Sequence, residues 1–198
     1  MATQEERKRA TRRKIMDAAG DLFAHRGIEA TTTEALLSAA GVSRGAMYHH
    51  FDSREDLVAA VYEEEAAAAI ARAAAREPGG LSARERLLAG CLAWLDEVSR
   101  PGVARILIED GPAALGWRRC RRIEEQYSLG RLTAALRWAV DTGEIRVASV
   151  ELTARLMNAV LAEAALIVIA VNDQAEVRAD VEATLRALLS GLASPSKT

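Results

Sequence analysis

The stretch TTTEALLSAAGVSRGAMYHHFDSREDL, residues 31–57, sets two short helices on either side of one glycine. Thr31-Thr32-Thr33-Glu34 has the Thr-x-x-Glu form of a capping box, ahead of Ala35, Leu36, Leu37 and Ala40, so a helix is expected to start close to Thr32. Gly41 stops it, because glycine supplies the positive φ that a turn of about three residues needs. Ala39 and Ala40 are small enough to let two helices approach closely. Ser43 is a natural N-cap for a following helix through Phe51, in which Val42, Met47 and Phe51 can pack inward while Arg44, Gly45, Ala46, Tyr48 and His49 face out. Ser53 and Asp56 then form a second box that opens a long helix reaching about Arg76.

Working outward, Arg7 to Phe23 carries Ile15, Ala18, Ala19, Leu22 and Phe23 on one stripe, with Arg7, Lys8, Arg9, Arg12, Arg13 and Lys14 preceding or flanking it. This first helix is expected to end near Gly27. Pro78-Gly79-Gly80 is the clearest break, and Ser82-Ala83-Arg84-Glu85 restarts a helix carrying Leu87, Leu88, Cys91, Leu92, Trp94 and Leu95. Pro101-Gly102 and Gly111-Pro112 bracket a short helix from Val103 to Glu109. A long one is expected from Trp117 to about Val140, another capped by Ser149 to about Val171, and a last from Val177 to Leu189. The pattern predicts an all-α chain of about nine helices without strands: a three-helix helix-turn-helix unit over residues 1–57, joined through the long fourth helix to a helical bundle within residues 58–198.

Composition agrees with helices. Hydrophobic residues make up 50% of the 198 and aromatic ones only 4%, with few β-branched runs. A net charge of -2 means that any basic footprint for nucleic acid has to be local. Cys91 and Cys120 lack CxxC spacing, which argues against a disulfide framework or zinc site and fits a reducing compartment. The basic N-terminus has no apolar segment behind it, and the longest apolar run, Ala164 to Val171, is far short of the roughly 20 residues of a membrane span. A cytoplasmic protein without a membrane partner is expected. The three histidines, His25, His49 and His50, build no metal or catalytic constellation, HExxH and GxSxG motifs are absent, and no cofactor is called for.

The polar face of the third helix suits a DNA major groove. Arginine can fork to guanine, alanine and glycine permit close approach, and Tyr and His can donate to phosphates or base edges. The quoted stretch, preceded by an amphipathic helix ending LFAHRG, resembles the N-terminal DNA-binding domain of the TetR family of transcriptional regulators. Ala-Gly-Val-Ser, Tyr-x-His-Phe and Ser-Arg-Glu-Asp-Leu occur in order and at the right spacing, over roughly Arg9 to Val61. The resemblance implies that the third helix enters the major groove and that the starts of the second and fourth hold the backbone. By position it places Thr33, Tyr48 and Arg54 near phosphates, with Thr32 and Ser43 beside them, and Arg44, Gly45, Ala46 and His49 near bases. Where family members often carry Lys, this chain has Arg44 and Arg54, which keeps the charge. The basic cluster from Arg7 to Lys14 reads either as a solvated tail or as a further phosphate contact, and His50, beside Phe51, reads as structural.

In the larger part, Cys91, Trp94, Leu95, Trp117, Tyr127, Trp138, Met157 and Asn158 could line a mostly apolar ligand pocket, though each can also be read as core. Arg118, Arg119, Arg121 and Arg122 read as a solvated face or, alternatively, as a site for an anion. Leu152, Leu156 and Val160, with Val181, Leu185 and Leu188, form stripes that would pair in a two-fold homodimer, as the last two helices of that family do. The function expected is a homodimeric repressor on a palindromic operator of double-stranded DNA, released by a small-molecule effector. Its rivals are an activator or ligand-independent DNA-binding protein, and a small helical enzyme or carrier.

Overall fold

Hydroxyl and carboxylate caps set most of the helix starts. In the computed structural model, which describes residues 3–76, 78–171 and 173–193 with the Trp117 side chain excepted, α1 (Gln4–Arg26) is opened by Thr3 in a full capping box with Glu6. It therefore begins a turn earlier than the apolar stripe suggests, and the basic cluster is helical. The helix α2 (Thr33–Ala40) is capped by Thr32, whose hydroxyl accepts from the N–H of Ala35. Thr31 does not form the box with Glu34 that the spacing suggests; it is buried and donates to the carbonyl of Gly27 at 2.7 Å. Gly41 ends α2 in the left-handed conformation, φ 62° and ψ 39°. Ser43 caps α3 (Arg44–His50), and Ser53, bonded to the N–H and carboxylate of Asp56, opens α4 (Arg54–Ala75).

Further along run α5 (Ala83–Val98), with its Ser82–Glu85 capping box, then α6 (Pro101–Ala104), a π-helical stretch (Arg105–Asp110) and α7 (Gly111–Leu115) in unbroken succession. The short helix expected to stop before Gly111-Pro112 thus continues through it. Proline lacks an N–H and clashes with the carbonyl four residues back, and the wider π turn removes that conflict. The next helix, expected in one piece, is divided at Tyr127 into α8 (Trp117–Gln126) and α9 (Ser128–Asp141). Ser149 caps α10 (Val150–Ile169) and Asp173 caps α11 (Gln174–Gly191). Strands are absent among the described residues apart from one bridge, Ile145 to Ala193.

Two units result. The first comprises Met1–Glu65 with Pro101–Arg121, the second Ala66–Arg100 with Arg122–Thr198. In the first, α1 packs on α2, α3, α6 and the π stretch, burying Ile15, Phe23, Leu36, Met47 and Leu57. In the second, α5, α9, α10 and α11 pack around Leu87, Cys91, Leu132, Leu136, Leu161, Leu185 and Leu189. Of these, α10 is as long and apolar as a membrane-crossing helix, but Ala154, Leu161, Ala164, Ala165 and Val168 bury one side of it within the unit.

Candidate functional site

In the first unit, α3 is anchored by Met47, 1% exposed, and by Phe51 at its end. With that face fixed, Ser43, Arg44, Gly45, Tyr48 and His49 are exposed and Ala46 is half-buried. Tyr48 is 43% exposed, unusually open for a large aromatic. Arg44 pairs with Glu34 of α2 at 2.5 Å, and the backbone N–H of Glu34 together with that guanidinium holds the carboxyl below its usual range. Thr32 is exposed with its hydroxyl on the α2 cap, and Thr33 is half-buried in the first turn.

Arg54 differs from its sequence expectation in what it touches. Its Nη2 donates to the carbonyls of Ile28 and Thr31, both at 2.6 Å, and its guanidinium lies 6.0 Å from the Phe23 ring. The side chain thus ties the start of α4 to the α1–α2 turn. In the basic cluster, Arg9 pairs with Glu5, and Arg13 with Asp17 and Glu64. Arg12 stacks 5.0 Å from the Phe51 ring. His50 buries Nδ1 without a hydrogen-bond partner, and burial, then the charges of His49, Lys8 and Arg12, push its pKa down.

The second unit contains a partly open cavity of about 310 Å³. Its wall includes Ile70, Ala73 and Ala74 of α4, Arg86, Leu87, Gly90, Cys91 and Trp94 of α5, five residues of α9, and Asn158 and Leu161 of α10. The expected pocket residues divide. Cys91, Trp94 and Asn158 are on the wall. Leu95 is 0% exposed and lies in the core, one turn beyond Cys91 on the same stripe of α5 and outside the cavity wall. Met157 packs against the bundle core, Tyr127 sits at the α8–α9 break, and Trp138 is exposed beneath Arg86, so none of the three lines the cavity. The Trp117 side chain lies outside the described residues. Sequence reasoning missed Arg86, Ser128 and Arg131. The signal for Arg86 was its i, i+4, i+8 spacing to Gly90 and Trp94. Desolvation raises the Cys91 thiol to about 12, which makes it a wall and not a nucleophile.

Among the expected dimer residues, Leu152, Leu156 and Val160 stand exposed at i, i+4, i+8 on α10, and Leu188 is exposed on α11. Val181 is half-buried against the core. Leu185, expected at the interface, is instead 5% exposed and belongs to the core of the second unit with Leu189, because the i, i+4 pair faces inward toward α5 and α10. Arg119 is no free anion site: it pairs with Glu55 at 3.1 Å and Asp56 at 2.6 Å.

Residues 15–61 match the family described as bacterial regulatory proteins, tetR family, and residues 84–192 match the Tetracyclin repressor-like C-terminal domain. The transcriptional repressor KstR2 of Rhodococcus jostii is 47% identical over 51 residues, 26% of this chain and 25% of that protein. The TetC protein of transposon Tn10 from Escherichia coli is 23% identical over 157 residues, 78% of each. A TetR-family regulator from Pectobacterium atrosepticum has the same fold, with TM-score 0.81 and 27% identity over 98% of this chain and 99% of that one. With matches at both ends, one covering more than half its length, the chain belongs to the TetR family of bacterial DNA-binding transcriptional regulators and is not an enzyme.

Proposed function

We infer that the chain is a cytoplasmic homodimeric repressor that holds an inverted-repeat operator and is released by a small molecule bound in the cavity of the second unit. The observation that carries the DNA half is the outward face of α3, where Arg44, Tyr48 and His49 are exposed on a helix anchored by buried Met47. Thr33 and the cap residues Thr32 and Ser43 present the first turns of α2 and α3, whose N–H groups attract phosphate. Arg54 serves as a positioning residue for this face, since its Nη2 is held by two backbone carbonyls. The exposed stripe Leu152, Leu156, Val160 on α10 and Leu188 on α11 supports pairing of two copies.

Release is supported by one helix that serves both ends. The first turn of α4 carries Arg54, Glu55 and Asp56, and its last turns supply Ile70, Ala73 and Ala74 to the cavity. A ligand that favours one setting of α4 and an operator that favours another weaken each other by the same factor. The repressor sign follows the similarity to KstR2, a transcriptional repressor. Selection of bound duplexes from a random pool tests the reading. An inverted repeat with half-sites about one helical turn apart, or a small multiple, is the expected outcome, and an asymmetric single site bound by one protomer contradicts it.

A further inference from the structure

We propose that the cavity of the second unit takes a small organic anion, an apolar body ending in a carboxylate, and that Arg86 reads the charge. This rests on the cavity being the effector site. Most of the wall is aliphatic or aromatic, from Ile70, Leu87, Trp94, Leu132 and Leu161. Into that apolar lining Arg86 brings a permanent positive charge, and its Nε is buried with no hydrogen-bond partner. A buried donor left unmade is costly, so such an atom calls for an acceptor. Among the described residues no carboxylate pairs with Arg86; the group against it is the Trp138 ring, 5.0 Å from the guanidinium carbon. An aromatic contact of that kind leaves the in-plane N–H groups available. A ligand carboxylate accepting from Nε and a terminal nitrogen is the forked geometry that guanidinium favours. Asn158, also on the wall, supplies a neutral donor and acceptor for a second polar point. At about 310 Å³ the space is at the small end for ligand pockets, which points to compact acids and not to large conjugates.

Matched acids and amides separate this inference from the cavity reading on which it rests. Hexanoate, octanoate and decanoate, each against its primary amide, are titrated calorimetrically into the full-length protein, Arg86→Gln, Arg86→Lys and the wall-filling variant Ala135→Phe. The best acid is expected to bind wild type at least tenfold more tightly than its amide, and Arg86→Gln to bring the two within about twofold without weakening the amide. Arg86→Lys keeps part of the preference, and Ala135→Phe blocks both ligands. Acid and amide binding alike, both lost in Ala135→Phe, would overturn the anion inference and leave the cavity reading standing. An acid preference that survives in Arg86→Gln would remove Arg86 from the role. No binding of either class would overturn both readings. Should Arg86→Gln fail to fold, the wild-type acid-to-amide ratio and Arg86→Lys still decide.

Discussion

Asp110 accepts the backbone N–H of Ile28 through Oδ2 at 2.8 Å, joining points 82 residues apart within the first unit. Nearby, Arg105 donates to the carbonyls of Ala24 and His25, so the π-helical stretch holds the C-terminal end of α1 from both sides. Asp110→Ala leaves the N–H of Ile28, a residue only 5% exposed, without its partner. The expected loss is ~1–3 kcal/mol of stability, seen as a lower urea midpoint at unchanged slope. Asp110→Asn keeps an acceptor oxygen and should lose less. A wild-type midpoint for Asp110→Ala would show the bond contributes nothing.

Gly111 is required for a different reason. A Cβ there would lie 2.5 Å from Cδ2 of Tyr62 and 2.2 Å from the carbonyl oxygen of Ile106, one a packed ring and the other backbone. Gly111→Ala is therefore expected to destabilise by about 1–3 kcal/mol or more. Gly130→Ala, where the nearest atom is 3.5 Å away on an exposed part of α9, should instead stabilise by ~0.5–1 kcal/mol. Equal midpoints for the two variants would refute the close-packing account.

Asp56 titrates below the ordinary aspartate range because the Ser53 hydroxyl and then the Arg119 guanidinium bond its charged form. A depressed folded pKa gives stability that is complete above the unfolded value, near 3.9, and is lost as pH falls through the lower folded value. Arg119→Gln is expected to move the Asp56 titration upward in a carboxyl NMR experiment while leaving Glu144 unmoved, whose own depression comes from the N–H groups of Arg84 and Ala83. An unshifted Asp56 would leave Ser53 as the sole cause.

Local chemistry explains what the sequence revealed and what it hid. Ser43, Ser53, Ser82 and Gly41 act on neighbours within a few residues, so their caps and turn were readable as written. Thr31 was misread because its partner, Gly27, lies behind it in the fold and not in the following helix. The π stretch was hidden because Gly111-Pro112 signals an end, and only packing against Tyr62 reveals that the chain runs on. In the cavity, residue type suggested an apolar lining but could not say which side chains meet empty space. Arg86 was passed over since a charged residue on an amphipathic helix ordinarily faces solvent.

Leu156 and Leu185 look alike in sequence and differ in the fold, 61% against 5% exposed. Leu156→Glu should give a folded monomer, with light scattering showing half the mass and a protomer midpoint changed by less than ~0.5 kcal/mol. Leu185→Glu buries an unpaired charge and should cost about 3 kcal/mol or more. A dimer that persists in Leu156→Glu would exclude that stripe of α10 from the interface.

Tyr48 offers the sharpest test of the α3 face. At 43% exposure its ring contributes little packing, so Tyr48→Ala should leave the unfolding midpoint within ~0.5 kcal/mol of wild type while weakening operator binding by ~1–3 kcal/mol. If the phenol hydroxyl donates to a phosphate, Tyr48→Phe reproduces most of that loss. The slope of affinity against salt should stay the same in both variants, because a neutral group releases no counterion when it binds. Arg44 behaves differently. It is charged and already paired with Glu34, so Glu34→Gln frees the guanidinium and removes a negative charge from the same surface, and binding is expected to tighten several-fold at low salt and less at high salt. Wild-type operator affinity for Tyr48→Ala, measured on a protein of normal helicity, would take Tyr48 out of the interface. Unchanged binding in Glu34→Gln would mean that the DNA never meets the Arg44 side of α3.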